Sequence, residues 1–108
     1  MILYNETILV GQVVEIQLID WLRKKYIQEV LDTGCFSSAR LCRLTSHNEP
    51  DSTNYTIQYM AESQEHLKEY KSKYAARIYS ECYKLFGEKI LIFRTELEVV
   101  ENFYANQS

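Results

Sequence analysis

Residues 2–10 (ILYNETILV) are rich in β-branched and aromatic types and poor in helix formers, which predicts a first strand. Gly11-Gln12 ends it, and the apolar period then changes. Ile16, Ile19, Tyr26, Ile27 and Val30 fall within one helical face, so residues 13–32 are expected as a helix with that face on a sheet. Thr33-Gly34 stops the helix, since glycine accepts the left-handed backbone of a C-terminal cap. Residues 36–45 read as a second strand. Residues 46–52 hold the only proline and form the clearest loop. In residues 54–61 alternation puts Tyr55, Ile57 and Tyr59 on one side of a third strand. Ser63 suits an N-cap, because its hydroxyl can accept from a free N–H of the first turn. A helix follows to about Phe86, with Leu67, Tyr70, Tyr74, Ile78 and Leu85 as its core-facing residues. Gly87 caps it. Residues 89–98 (KILIFRTELE) form the last strand, and a tail begins at Val99.

The order is β-α-β-β-α-β, and each half is strand, helix, strand. Two right-handed crossovers of this kind give an α+β, ferredoxin-like fold, a four-stranded antiparallel sheet with both helices on one face. One domain is expected over residues 1–98, with residues 99–108 as a C-terminal tail.

Both helices carry more apolar surface than one sheet face can cover. Val14, Leu18 and Trp21 lie opposite the expected sheet-facing stripe of the first helix, at about 100° per residue. Ala75, Tyr79, Tyr83 and Phe86 form a side stripe on the second. The tail adds Val99, Val100, Phe103 and Tyr104 within otherwise polar sequence. Tyr and Trp join a large apolar body to a polar handle and are enriched at interfaces. Trp21, Tyr79, Tyr83, Phe103 and Tyr104 are therefore the expected interface residues, with the tail folded over the helices of its own chain or of a partner. On the last strand Arg94, Glu96 and Glu98 share a side with Ile90 and Ile92, and Leu91, Phe93 and Leu97 lie opposite. That mixed side suits sheet-to-sheet packing in a homodimer.

Composition narrows the function. Of 108 residues 46% are hydrophobic and 25% charged, which excludes a disordered or collagen-like chain. The net charge of −3 opposes binding to nucleic acid through phosphates. Tyr4, Tyr55 and Tyr59 stand on strands that carry aromatics in RNA-recognition domains, but the Lys/Arg-Gly-aromatic-Gly start of that motif is missing. No apolar run is long enough for a bilayer span, and the N-terminus lacks the basic start of a secretory signal. Cys35, Cys42 and Cys82 are odd in number and form no Cys-x-x-Cys pair, which points to reduced thiols in the cytoplasm. No metal or other cofactor is expected. His47 and His66 have no ligand partner at helical or hairpin spacing, and Gly11, Gly34 and Gly87 all fall at element ends rather than in a phosphate loop. Glu96 and Glu98 read as a solvated or interfacial ladder, with Arg94 favouring their ionised forms. Arg23 falls within the expected sheet-facing stripe. Its stem can snorkel along apolar surface, or its guanidinium can hold a carboxylate such as Glu6.

The segments Met1-Ile2-Leu3-Tyr4-Asn5, Trp21-Leu22, Glu29-Val30, Thr33-Gly34-x-Phe36, Tyr55-Thr56-Ile57-Gln58-Tyr59 and Phe93-Arg94-Thr95-x-Leu97-Glu98, in this order and spacing, resemble the bacterial family called domain of unknown function 4286. The resemblance reaches to about residue 98. It implies a ferredoxin-like domain of the dimeric α/β-barrel kind, and it implies no reaction. The chain departs from the family where histidine and proline are frequent. Tyr26 and Gln28 replace one such pair, Tyr74 and Ala76 a second, and Cys82 stands in place of a further histidine. This counts against a metal or acid–base centre built on those positions.

Two functions follow as expectations. One is a homodimer that binds a small ligand or a protein and has no catalytic residues. The other is a cofactor-independent enzyme of the oxygenase, isomerase or decarboxylase type, with a cleft lined by Tyr26, Tyr74, Arg40 and Arg94 for proton transfer and anion binding. The two part on whether Tyr26 and Tyr74 meet in a concave space beside an arginine.

Overall fold

The structure is a computed structural model that describes residues 1–47 and 49–106. Strand β1 (Ile2–Gly11) leads into a helical rod made of α1 (Gln12–Trp21), a wider π turn (Leu22–Tyr26) and α2 (Ile27–Asp32). Strands β2 (Ser38–Arg43) and β3 (Ser52–Ala61) form the central hairpin. A second rod, α3 (Gln64–Lys73) and α4 (Ala75–Phe86), leads through a 3₁₀ turn to β4 (Ile90–Glu98). The sheet order is β2-β3-β1-β4 with every pair antiparallel, which is the ferredoxin-like topology. Gly34 and Gly87 end the two rods with positive φ, at 78° and 51°, as helix-terminating glycines do. The Ser63 hydroxyl accepts from the His66 backbone N–H, closing the first turn of α3.

Alternation along β1 sorts its residues cleanly. Ile2, Tyr4, Glu6, Ile8 and Val10 lie under the helices, and Leu3, Asn5, Thr7 and Leu9 lie on the open face. The core is the helix-covered layer, with Tyr59 and Ile57 of β3, Leu18, Leu22 and Val30 of the first rod, and Leu67, Tyr70 and Ile78 of the second.

Both rods depart in part from the phase read in the sequence, although Tyr26, Val30, Leu67, Tyr70 and Ile78 are buried as expected. In the first, Leu18, Leu22, Tyr26 and Val30 face the sheet, while Ile16 is 85% exposed. Residues four apart drift by about 40° per step on an α-helix. The wide π turn offsets that drift and keeps all four on one side. In the second rod the helix breaks at Tyr74, whose φ of −124° is not helical. Beyond the break Ala75, Ile78, Cys82 and Phe86 continue the buried face of Leu67 and Tyr70, and Leu85 is turned to solvent. Trp21 and Tyr79, expected at an interface, are half-buried within the chain. The Trp21 ring lies 4.9 Å from Tyr26 and 5.5 Å from Phe86, bridging the two rods.

The last strand is also reversed from expectation. Pairing sets Arg94 opposite Glu6 and Ile90 opposite Val10, so the mixed side of β4 faces the helix layer. The apolar side, with Leu91, Phe93 and Leu97, lies on the open face and is at least half exposed. The tail continues the sheet for one residue, with the Val99 N–H donating to the Met1 carbonyl at 2.9 Å. Its described part then leaves the body. Phe103 and Tyr104 are 84% and 85% exposed, so the tail does not cover the helices of its own chain.

Candidate functional site

Glu6 is the one charged residue in the inward row of β1, and it is 1% exposed. A carboxylate removed from water needs donors, and Tyr26 and Arg94 supply them. The Tyr26 hydroxyl lies 3.1 Å from Oε1 and 2.8 Å from Oε2. Arg94 Nε donates to Oε2 at 2.9 Å. Of the two readings open for Arg23, the bond to Glu6 is not the one formed. Arg23 sits on the exposed side of the π turn, and the cross-strand neighbour Arg94 takes that role. Tyr26→Phe is expected to cost about 1–3 kcal/mol, because it removes a donor from a carboxylate that stays buried; equilibrium urea unfolding measures it.

The arginine is held on two sides. Its guanidinium carbon lies 3.6 Å from the centroid of the Tyr79 ring, in cation–π geometry. The Tyr79 hydroxyl in turn hydrogen-bonds that of Tyr4. Burial opposes the charge on Arg94, but the Glu6 carboxylate outweighs it and raises the arginine pKa. Tyr26, Tyr59 and Tyr70 are all pushed above the ordinary phenol range, first by burial and next by the negative charge of Glu6. Burial does the same to Tyr4 and Tyr79. The Cys82 thiol is pushed up to about 11, again by burial and then by Glu6.

Beside this network lies a cavity of about 560 Å³ between α4 and the edge strand β4. Its walls include Tyr79, Cys82 and Tyr83 from α4 and Ile90, Ile92 and Arg94 from β4. Of the four residues expected to line a cleft, the structure joins only Tyr26 and Arg94, and it does so through Glu6. Tyr26 is packed in the core. Tyr74 lies at the break between α3 and α4, in a separate hollow with Thr33 and Arg77. Arg40 is on the open face, beside Gln58 and Met60. Among the described residues, no group of three or more His, Cys, Asp or Glu could hold a metal ion. Also among the described residues, no helix is long and apolar enough to cross a membrane.

Glu6 itself escaped the sequence reading as a site residue, although a signal was present. In the row Ile2, Tyr4, Glu6, Ile8, Val10 it is the only charge on a side that must be buried. Cys82 also carried a signal, since it follows the core-facing Ile78 by four residues on α4.

Strand order, helix-covered face and buried carboxylate define a ferredoxin-like α+β domain with an internally neutralised ion pair beside an apolar groove. Residues 1–100 match the family described as Domain of unknown function (DUF4286), and the chain belongs to it. No curated protein matches the chain. Among solved structures it is similar to the de novo designed protein Foldit4, at 14% identity and a TM-score of 0.56, over 91% of this chain and 97% of that one. It is also similar to a de novo designed protein with a ferredoxin fold, at 17% identity and a TM-score of 0.48, over 100% and 95% of the two chains. The first likeness bears on the fold alone.

Proposed function

We propose that this protein is a homodimeric module that binds a small molecule and performs no catalytic step. The observation that carries the binding reading is Arg94, fixed by Glu6 and Tyr79 at the wall of a largely apolar cavity. Ligand sites combine apolar walls with a few oriented polar groups in this way. An enzyme using the same cleft needs a group that exchanges protons near neutral pH. The phenols around Glu6 and the Cys82 thiol are held in their protonated forms well above that range, which favours binding over turnover.

The homodimer rests on the open face of the sheet. Leu91, Phe93 and Leu97 of β4 run beside Leu3 and Leu9 of β1, an apolar stripe on a surface with no covering layer. A second copy packing sheet to sheet about a two-fold axis would bury it, with Phe103 and Tyr104 free to extend the contact. The unpaired Cys35, Cys42 and Cys82 support a reducing, cytoplasmic setting, and the family resemblance a bacterial one. The net charge of −3 supports a partner other than nucleic acid.

Native mass spectrometry at micromolar concentration is expected to show a species of two chains. Phe93→Glu places two carboxylates across the two-fold contact and is expected to convert it to single chains with unchanged circular dichroism. A wild-type monomer, or a dimer indifferent to Phe93→Glu, counts against this assembly.

A further inference from the structure

The cavity has a direction. The helix-facing residues of β4 occur in the order Ile90, Ile92, Arg94, and α4 runs antiparallel to them from Tyr79 to Gly87. At roughly 3.3 Å per strand residue, Ile90 to Arg94 spans about 13 Å. At 1.5 Å per helical residue, Tyr79 to Gly87 spans about 12 Å. The two estimates agree, so the space is a groove about 12–13 Å long. Arg94 and Tyr79 stand at one end, and Gly87 and Glu88 at the other.

The ends differ in charge. Among the described residues, the Nε–H bond to Glu6 is the hydrogen bond that the guanidinium makes. An arginine has five N–H donors in a flat fork, and the edge carrying its two terminal nitrogens matches the two oxygens of a carboxylate. Glu6 occupies the side edge of Arg94 and Tyr79 covers one face, which leaves the terminal edge oriented and available. Glu88, at the far end, disfavours a second anion there. Between the ends the groove is walled by Cys82, Tyr83, Ile90 and Ile92 and offers no further cation.

We propose that this groove binds a monocarboxylate with an extended apolar chain, its head group on the terminal nitrogens of Arg94 and its chain lying along β4 toward Gly87. A dicarboxylate would meet Glu88, and a zwitterionic amino acid would place its ammonium beside the Arg94 cation, with Glu6 outside the groove lining. This names the ligand class of the binding reading above and rests on that reading.

Titration calorimetry on the full chain tests it with octanoate, octylamine and octanol. Octanoate is expected to bind at least about tenfold more tightly than either of the others. Ile92→Trp, which fills the groove and leaves the Glu6–Arg94 pair untouched, is expected to weaken octanoate by at least about tenfold. The double variant Glu6→Gln/Arg94→Met, which keeps an acceptor for Tyr26, is expected to reduce octanoate to the level of octanol. Equal binding of all three compounds keeps a groove and overturns the carboxylate assignment. Failure of all three overturns both the assignment and the binding reading. Octanoate binding that appears only after removal of residues 99–108 assigns the groove to the tail of a second copy and overturns the proposal.

Discussion

Raising the pH above about 10 is expected to unfold this domain over a narrow range, and the cause is its buried tyrosines. A phenol in the unfolded chain loses its proton near pH 10. In the folded chain Tyr26, Tyr59 and Tyr70 are essentially inaccessible to water, and burial together with the Glu6 carboxylate holds all three protonated well beyond that pH. The sign follows from proton counting. Below pH 10 both states hold these protons, and the phenols add no pH dependence. Above it the folded state holds more protons than the unfolded state, so stability falls as pH rises. Each such phenol contributes about 1.4 kcal/mol per pH unit, and three contribute about 4 kcal/mol per unit. A domain of ordinary stability, about 5–15 kcal/mol, is then exhausted within a few pH units. Phenolate absorbance and helical circular dichroism, followed together, are expected to show the buried tyrosines ionising in step with loss of the fold. Full phenolate absorbance with the circular dichroism intact would mean that these rings are not sealed from solvent.

Arg94→Met is expected to cost about 3–5 kcal/mol, a large share of the stability of a domain this size. Two charges removed from water gain little as a pair, but breaking the pair leaves an uncompensated carboxylate in the core. Glu6 is more deeply buried than Arg94, whose side chain is 28% exposed, so the loss of the arginine is the damaging half. Tyr26 still donates to Glu6, but a neutral hydroxyl cannot offset a full charge. Adding Glu6→Gln removes that charge while keeping an acceptor for Tyr26, and it is expected to restore most of the loss. A double-mutant cycle by urea unfolding measures the coupling. Additive effects of the two substitutions would show that the ion pair contributes nothing beyond its separate parts.

The same pair shows how far local pattern reaches. The strands, the two rods, their stops at Gly34 and Gly87 and the N-cap at Ser63 were all legible, because alternation, helical period and caps are properties of neighbouring residues. The rotation of the helices was not. It depends on a π turn at Leu22–Tyr26 and a break at Tyr74, each a shift of about one residue that local propensity does not mark. Leu18 lies in the core and Ile16 in solvent, and Cys82 rather than Leu85 faces inward.

Within the site, the inward position of Glu6 followed from period two along β1, and its need for a cation followed from burial. Which cation answered was a matter of register. Glu6 and Arg94 are far apart in the chain, and only the pairing of β1 with β4 sets them side by side. Arg23, for which a bond to Glu6 stood as the alternative to snorkelling, lies on the solvent side of the π turn.

The residue pattern alone determined the element order, the fold class and the rows of each strand, since these rest on short-range periodicity and end signals. Tertiary structure decided which side of β4 meets the helices, how each rod is turned, and that Arg94 stands between a buried glutamate and an apolar groove. The physical reason is that strand register and helix rotation are set by the whole packed layer, through contacts between residues that are remote in the chain.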